Sequence, residues 1–188
     1  GDVYKRQDVF IVEDPRNARR YLKLLNRERE IDRLTFHELN KHTPAEQLPS
    51  FLEQAIAGKD TAIMSEAGVP GVADPGAAVV RLAHDHGIRV VPLTGPSSIL
   101  LSLMASGLNG QSFCFHGYLP IQRPERIRKI LEIEKLALRK NETQLFMEAP
   151  YRNDALLSDI LEHCGSSTRL CIAADITLDS EFIQTRSM

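Results

Sequence analysis

A chain of 188 residues, 43% apolar and 26% charged, has the makeup of a globular protein and can bury the core of one medium domain or two small ones. Its formal charge of −2 excludes a global electrostatic pull toward polyanions and leaves only local basic patches for such a role. Cys114, Cys164 and Cys171 fit neither a disulfide framework nor a zinc spacing, so a reducing cytoplasm is expected, and no run reaches the roughly 18 apolar residues of a membrane span.

The opening heptapeptide, residues 1–7 (GDVYKRQ), has no apolar rhythm and resembles translated sequencing-adapter sequence, so it is expected to be non-native. DVFIV (8–12) reads as a short buried strand, and Asp14-Pro15 as the cap of a helix to about Leu25. LTFHEL is a second strand. A helix is expected from Thr43-Pro44, with Leu48, Leu52 and Ile56 along one face. TAIMS is strand three, Asp74-Pro75 caps a helix that Gly87 ends, and IRVVPL (88–93) is strand four. GPSSILLSLMASG is a helix stopped by Gly107, and SFCFHGYLP a fifth strand. A basic amphipathic helix at about 123–139 follows, then strand TQLFMEA, helix YRNDALLSDILEHCG and strands TRLCIAADI and EFIQTR.

This alternation implies an α/β protein: an N-terminal domain over 8–117 with a mostly parallel sheet, and a C-terminal domain over 121–188 with a mixed one. Gly and Pro interrupt the pattern near Tyr118–Ile121, where the boundary is expected.

The stretch TAIMSEAGVPGVADPG (61–76) stands out, because a buried strand runs into a loop far longer than a reversal of direction needs. In open parallel sheets ligands collect at the carboxyl ends of strands. Gly68 and Gly71 let the backbone approach a ligand, and Pro70 stiffens the path between them. Ser97 and Ser98 add hydroxyls and unpaired N–H donors at a helix start, although capping alone also accounts for Asp74 and Ser97. Neither a G-x-G-x-x-G nor a Walker-type phosphate loop is present, and the six scattered histidines suggest no metal site.

Several motifs occur in order: Glu13-Asp14-x-Arg16, Ser65-x-Ala67-Gly68-x-Pro70 with Asp74-Pro75-Gly76, Gly95-Pro96-Ser97-Ser98, and Phe113-x-Phe115-x-Gly117-Tyr118-Leu119-Pro120. Together with LFMEAPYRN (145–153), this set resembles the tetrapyrrole-methylase superfamily, and within it the ribosomal RNA small-subunit 2′-O-ribose methyltransferase I branch. The resemblance implies an S-adenosylmethionine (SAM) enzyme, usually a homodimer, with its cofactor cleft between two α/β domains. It further implies that Ala67, Gly68, Val69 and Val72 form one wall of the cofactor site, that Ser97 and Ser98 contribute from the next loop, and that Met147 and Ile176 close over it from the second domain. Read without the resemblance, Met147 and Ile176 are strand core. Against the branch pattern, the first strand and the closing strands of the second domain are expected to be missing, and Ala174 and Leu178 stand where the branch carries Arg and Lys.

Methyl transfer to a ribose hydroxyl is helped by an acceptor for its proton. Glu13, at the end of its strand, is the first candidate and Glu148 the second; the alternative for Glu13 is an ion pair with Arg16 or Arg20. RNA as partner is supported by Arg123, Arg126, Arg128, Lys129, Lys135, Arg139 and Lys140 on one helix, and by Arg16, Arg19, Arg20 and Lys23 on another. Two other readings stand beside it: methylation of a tetrapyrrole or other small molecule, and a non-catalytic RNA- or ribosome-binding protein on the same scaffold.

Overall fold

A computed structural model describes residues 6–188; residues 1–5, most of the stretch set aside as non-native, lie outside the described residues. The protein is α/β and divides into two compact units, Gly1–Pro96 and Ser97–Met188. This division falls upstream of the boundary expected at Tyr118–Ile121, because the fifth expected strand takes its ladder partner from the second unit.

The first unit is organised by β1 (Val9–Val12), which pairs in parallel with β2 (Thr35–Glu38) on one side and β3 (Thr61–Met64) on the other. Registers Val9↔Thr35 and Val9↔Thr61 bring the carboxyl ends of all three strands to one edge. All four β1 residues are at most 2% exposed, because both faces of the strand are covered. Side chains alternate across a strand, so Phe10 and Val12 pack with Ala18 and Leu22 on one face, while Ile11 packs with Leu48, Phe51, Leu52 and Val79 on the other. Helix α1 (Pro15–Leu25) starts where the sequence predicts: Asp14 accepts from the Arg16 and Asn17 amides at 2.7 and 3.4 Å, with Pro15 in the first turn.

Two expectations change in this unit. The helix read from Thr43-Pro44 is a 3-10 segment (Ala45–Leu52) followed by one α-helical turn, α2 (Glu53–Ile56). Pro49 lies inside it and lacks the N–H that an α-helical bond needs. Leu48 and Leu52 are buried as expected, whereas Ile56 is exposed. Strand four, IRVVPL, forms no ladder among the described residues. Its alternation survives, with Ile88 and Val90 against the Ile11 cluster and Val91 and Leu93 exposed, but an apolar pattern is not a strand without a neighbour to bond. Helix α3 (Gly76–Asp85) precedes this segment.

The second unit begins with α4 (Ser98–Ser106), ended by Gly107 at φ +66°. Strand β4 (Phe113–Tyr118) runs parallel to β5 (Thr143–Met147), with α5 (Arg123–Lys140) as the connection. Helix α6 (Asn153–His163) leads to the antiparallel pair β6 (Arg169–Ala174) and β7 (Phe182–Ser187). The expected mixed sheet is therefore two separate two-stranded ladders among the described residues. Leu119, Ile130, Ile133, Leu156 and Ile160 form the core between α5 and α6. No helix among the described residues is long and apolar enough to cross a membrane.

A buried ionic knot fastens α5 to α6. Asp159, its side chain 3% exposed, meets Arg126 at 2.6 Å and Arg123 at 2.8 Å, and Arg126 also donates to the Ile121 carbonyl at 2.9 Å. Burial opposes the charged form of Asp159, yet hydrogen bonds from Arg126 and Arg123 outweigh it and hold the carboxyl below its usual range. Arg126 thus belongs to the interior, not to an RNA-facing stripe. Nearby, burial and the Glu134 carboxylate push the Cys164 thiol up to about 11, so it stays protonated and unreactive near neutrality.

Asp159→Ala should strand the Arg126 guanidinium and cost about 3–5 kcal/mol, whereas Arg126→Met with Asp159→Leu should recover most of that loss. Because the Asp159 carboxyl is depressed in the folded state, its contribution is full above the ordinary carboxylate value of about 3.9 and disappears as pH falls through the native value. Urea unfolding of the three proteins at pH 7 and pH 3 checks this: the gap between wild type and Asp159→Ala should narrow at pH 3, and an equal gap at both would contradict it.

Candidate cofactor-binding site

The carboxyl edge of the parallel sheet carries the polar groups singled out in the sequence. Since Val12 pairs with Met64, Glu13 and the 65–76 loop leave the sheet side by side. Glu13 Oε1 accepts the Glu66 amide at 3.0 Å, and Asn17 Nδ2 on α1 donates to Glu66 Oε2 at 2.8 Å. Glu13 forms no ion pair with Arg16 or Arg20 among the described residues, and its second oxygen has no protein partner there.

Further along, Asp74 folds the loop on itself. Its Oδ1 accepts from the Gly71 amide at 2.6 Å and the Gly76 amide at 2.7 Å, which closes the turn and caps the start of α3 together. Gly71 at φ +81° and Gly68 at φ +72° take the left-handed backbone that glycine permits. Ala73 at φ +57° takes it without that freedom, a strained position of the kind found at ligand sites. A Cβ on Gly76 would lie 2.8 Å from Asp74 Oδ1 and 3.2 Å from the Gly71 nitrogen, so glycine is required for the carboxylate to reach both amides.

This lacing leaves Ala67, Gly68 and Val69 as an open rim. Among the described residues their backbone N–H groups meet no protein acceptor, and a Cβ on Gly68 would find nothing within 4 Å. Val72, 47% exposed, sets an apolar side chain beside them. Free amide donors next to an apolar surface match an adenosine or amino-acid moiety, which needs both.

The remaining sequence-predicted residues lie in the second unit. Ser97 holds the N-cap position of α4 but makes no side-chain cap bond, so its hydroxyl is free for other partners; Ser98 is exposed in the first turn. Met147 ends β5, half-buried and paired in register with Tyr118 across a bulge at Gly117. Glu148, only 4% exposed, pairs with Arg152 at 2.5 Å and accepts the Ala149 amide at 2.8 Å. Ile176 sits half-buried in the 175–181 connection between β6 and β7, outside the strand that the sequence reading placed it in, and is flanked by Asp175 and Thr177 at positive φ.

Sequence reasoning missed the Glu13–Glu66–Asn17 chain and the Arg152 cluster, where the guanidinium lies 5.9 Å from the Tyr118 ring and 5.6 Å from the Tyr151 ring. Only the EAPYR stretch itself signals the second.

The family model for tetrapyrrole (corrin/porphyrin) methylases matches residues 3–187, and the chain belongs to that family. A Vibrio cholerae protein named ribosomal RNA small subunit methyltransferase I is 34% identical over 183 residues, covering 97% of this chain and 60% of the relative. The Bacillus subtilis protein of the same name is 33% identical over 184 residues, with the same coverage of 97% and 60%. The chain thus spans about three fifths of the length of the curated relatives it matches. Among solved structures, the methyltransferase CobJ aligns with a TM-score of 0.56 at 17% identity, over 96% of this chain and 86% of its own. The cobalt precorrin-4 methyltransferase CbiF aligns at 0.58 and 13% identity, over 99% of this chain and 77% of its own. At those identities the likeness is one of fold.

Gly76→Ala should break the Asp74 clasp and lower stability by about 1–3 kcal/mol. Thermal unfolding reads the effect, and an unchanged midpoint would show that the two amide contacts of Asp74 do not depend on the missing Cβ.

Proposed function

We propose that this chain forms the cofactor-binding framework of a SAM-dependent methyltransferase acting on a ribose 2′-hydroxyl of small-subunit ribosomal RNA, as a cytoplasmic homodimer. The observation that carries the reading is the set of relatives named ribosomal RNA small subunit methyltransferase I, which match nearly the whole chain at about one residue in three. The cofactor assignment is supported by the free amides of Ala67, Gly68 and Val69 and by the exposed Val72 side chain beside them.

In this reading the three amides bind and orient the cofactor, and Val72 excludes water from its apolar part. Ser97, Ser98, Met147 and Ile176, all in the second unit, are the further residues that the family resemblance assigns to the cofactor. Bound SAM supplies an electrophilic methyl group on a sulfonium whose charge is lost on transfer. Glu13 has the role of proton acceptor: Oε1 stays on the Glu66 amide and fixes the carboxylate, while Oε2 is free to take the ribose hydroxyl proton. Glu148 is held by Arg152 and the Ala149 amide, which suits it to position its surroundings rather than to exchange protons.

Transfer of labelled methyl from SAM to small-subunit ribosomal RNA tests the function. Glu13→Gln keeps an oxygen for the Glu66 amide and removes the basic site. It should lower kcat by about 100-fold or more with SAM affinity unchanged. Absence of label in RNA with the wild-type protein would overturn the RNA reading, and full kcat in Glu13→Gln would remove Glu13 from proton transfer.

A further inference from the structure

We infer that α1 is the phosphate-tracking element of this protein: Arg16, Arg19, Arg20 and Lys23 form a strip that docks the backbone of the RNA substrate beside the cofactor loop. The inference rests on the RNA reading above and names the surface that it needs.

The strip lies opposite the buried Ala18 and Leu22, and α1 contains no acidic residue. Among the described residues none of its four cations pairs with a carboxylate. Three are instead oriented by neutral groups. Arg19 lies 4.8 Å over the Phe36 ring, Arg20 donates to Asn17 Oδ1 at 3.1 Å, and Lys23 donates to the Arg29 carbonyl at 3.0 Å. Such contacts hold a cation in place without neutralising it, which lowers the entropy lost when it binds an anion.

Two concavities flank the strip. One of about 600 Å³ is lined by Arg19, Arg20 and Lys23 with the 28–33 segment, and a second of about 480 Å³ by Asp14, Pro15, Arg16, Arg19 and Glu38. Arg19 lines both, and the carboxylates of Asp14 and Glu38 line the smaller one. Glu28, Glu30 and Asp32 also line the larger one, and Glu30 is occupied by Arg33. From Arg16 to Lys23 the helix rises about 10 Å, enough for its cations to reach more than one phosphate of a strand. Asn17 links the strip to the cofactor loop, receiving Arg20 at Oδ1 and donating to Glu66 through Nδ2.

Helix α5 is the competing candidate, and its charges are spent differently. Arg123 and Arg126 are held by Asp159 and Glu162, Lys129 is held by Glu132, and Glu125 and Glu132 interrupt the remaining cations. Arg128, Lys135 and Arg139 make no ion pair among the described residues, but they are interspersed with Glu125, Glu132 and Glu134 along the helix, whereas α1 carries no acidic residue.

The test is fluorescence anisotropy of a labelled small-subunit ribosomal RNA fragment over a salt series. The triple variants Arg16→Gln/Arg20→Gln/Lys23→Gln and Arg128→Gln/Lys135→Gln/Arg139→Gln are compared with wild type, with SAM calorimetry and thermal unfolding as controls. The α1 variant should bind RNA about tenfold or more weakly at low salt, with its slope of log affinity against log salt reduced by about 2, while SAM affinity and melting stay unchanged. The α5 variant should stay close to wild type. Wild-type affinity and slope in the α1 variant, or a loss confined to the α5 variant, would overturn this inference and leave the RNA reading standing. If the wild-type protein binds no RNA, both fall together.

Discussion

Four residues in a row, Val9–Val12, are buried from both sides, and the first unit is built outward from that constraint. A strand covered on both faces needs apolar side chains throughout and a neighbour at each edge; β1 has both, with β2 and β3 in parallel register. Burying Phe10 or Ile11 alone contributes about 1.5–3 kcal/mol, and the same burial fixes where the chain emerges. Glu13 and Asp14 are therefore delivered to one edge with no freedom to shift, one holding the Glu66 amide and the other starting α1.

From that edge a second constraint takes over. A single carboxylate oxygen on Asp74 gathers two amides separated by four residues of loop, and the absent side chain of Gly76 leaves it room. Because those amides are satisfied internally, the loop leaves a different set, at Ala67 to Val69, without a protein acceptor among the described residues. The shape of the rim thus follows from which N–H groups the protein uses for itself.

Much of this was legible in the sequence. The Asp-Pro pairs at 14–15 and 74–75 announce helix starts through local chemistry, and VFIV announces a buried strand through composition. What escaped depended on distant partners. IRVVPL has a strand's alternation but no ladder, and the Thr43-Pro44 helix tightens to 3-10 geometry around Pro49. Arg126 has the spacing of a surface cation, yet it is buried against Asp159, 33 residues away, a partner that no local pattern signals. The basic charge read from α5 is thereby reduced, while the strip on α1 stands unneutralised. In the candidate site the glycines and Asp74 were readable as a bent loop, whereas Glu13 as the anchor of Glu66 was not, since their hydrogen bond spans 53 residues.

In the proposed function the open amides of the 67–69 rim grip the cofactor, and backbone amide NMR during a SAM titration reads this directly. The resonances of Ala67, Gly68 and Val69 should move by far more than those of Gly71 and Gly76, whose protons are already committed to Asp74. Saturation with SAM that leaves the Ala67–Val69 amides unmoved would contradict the account.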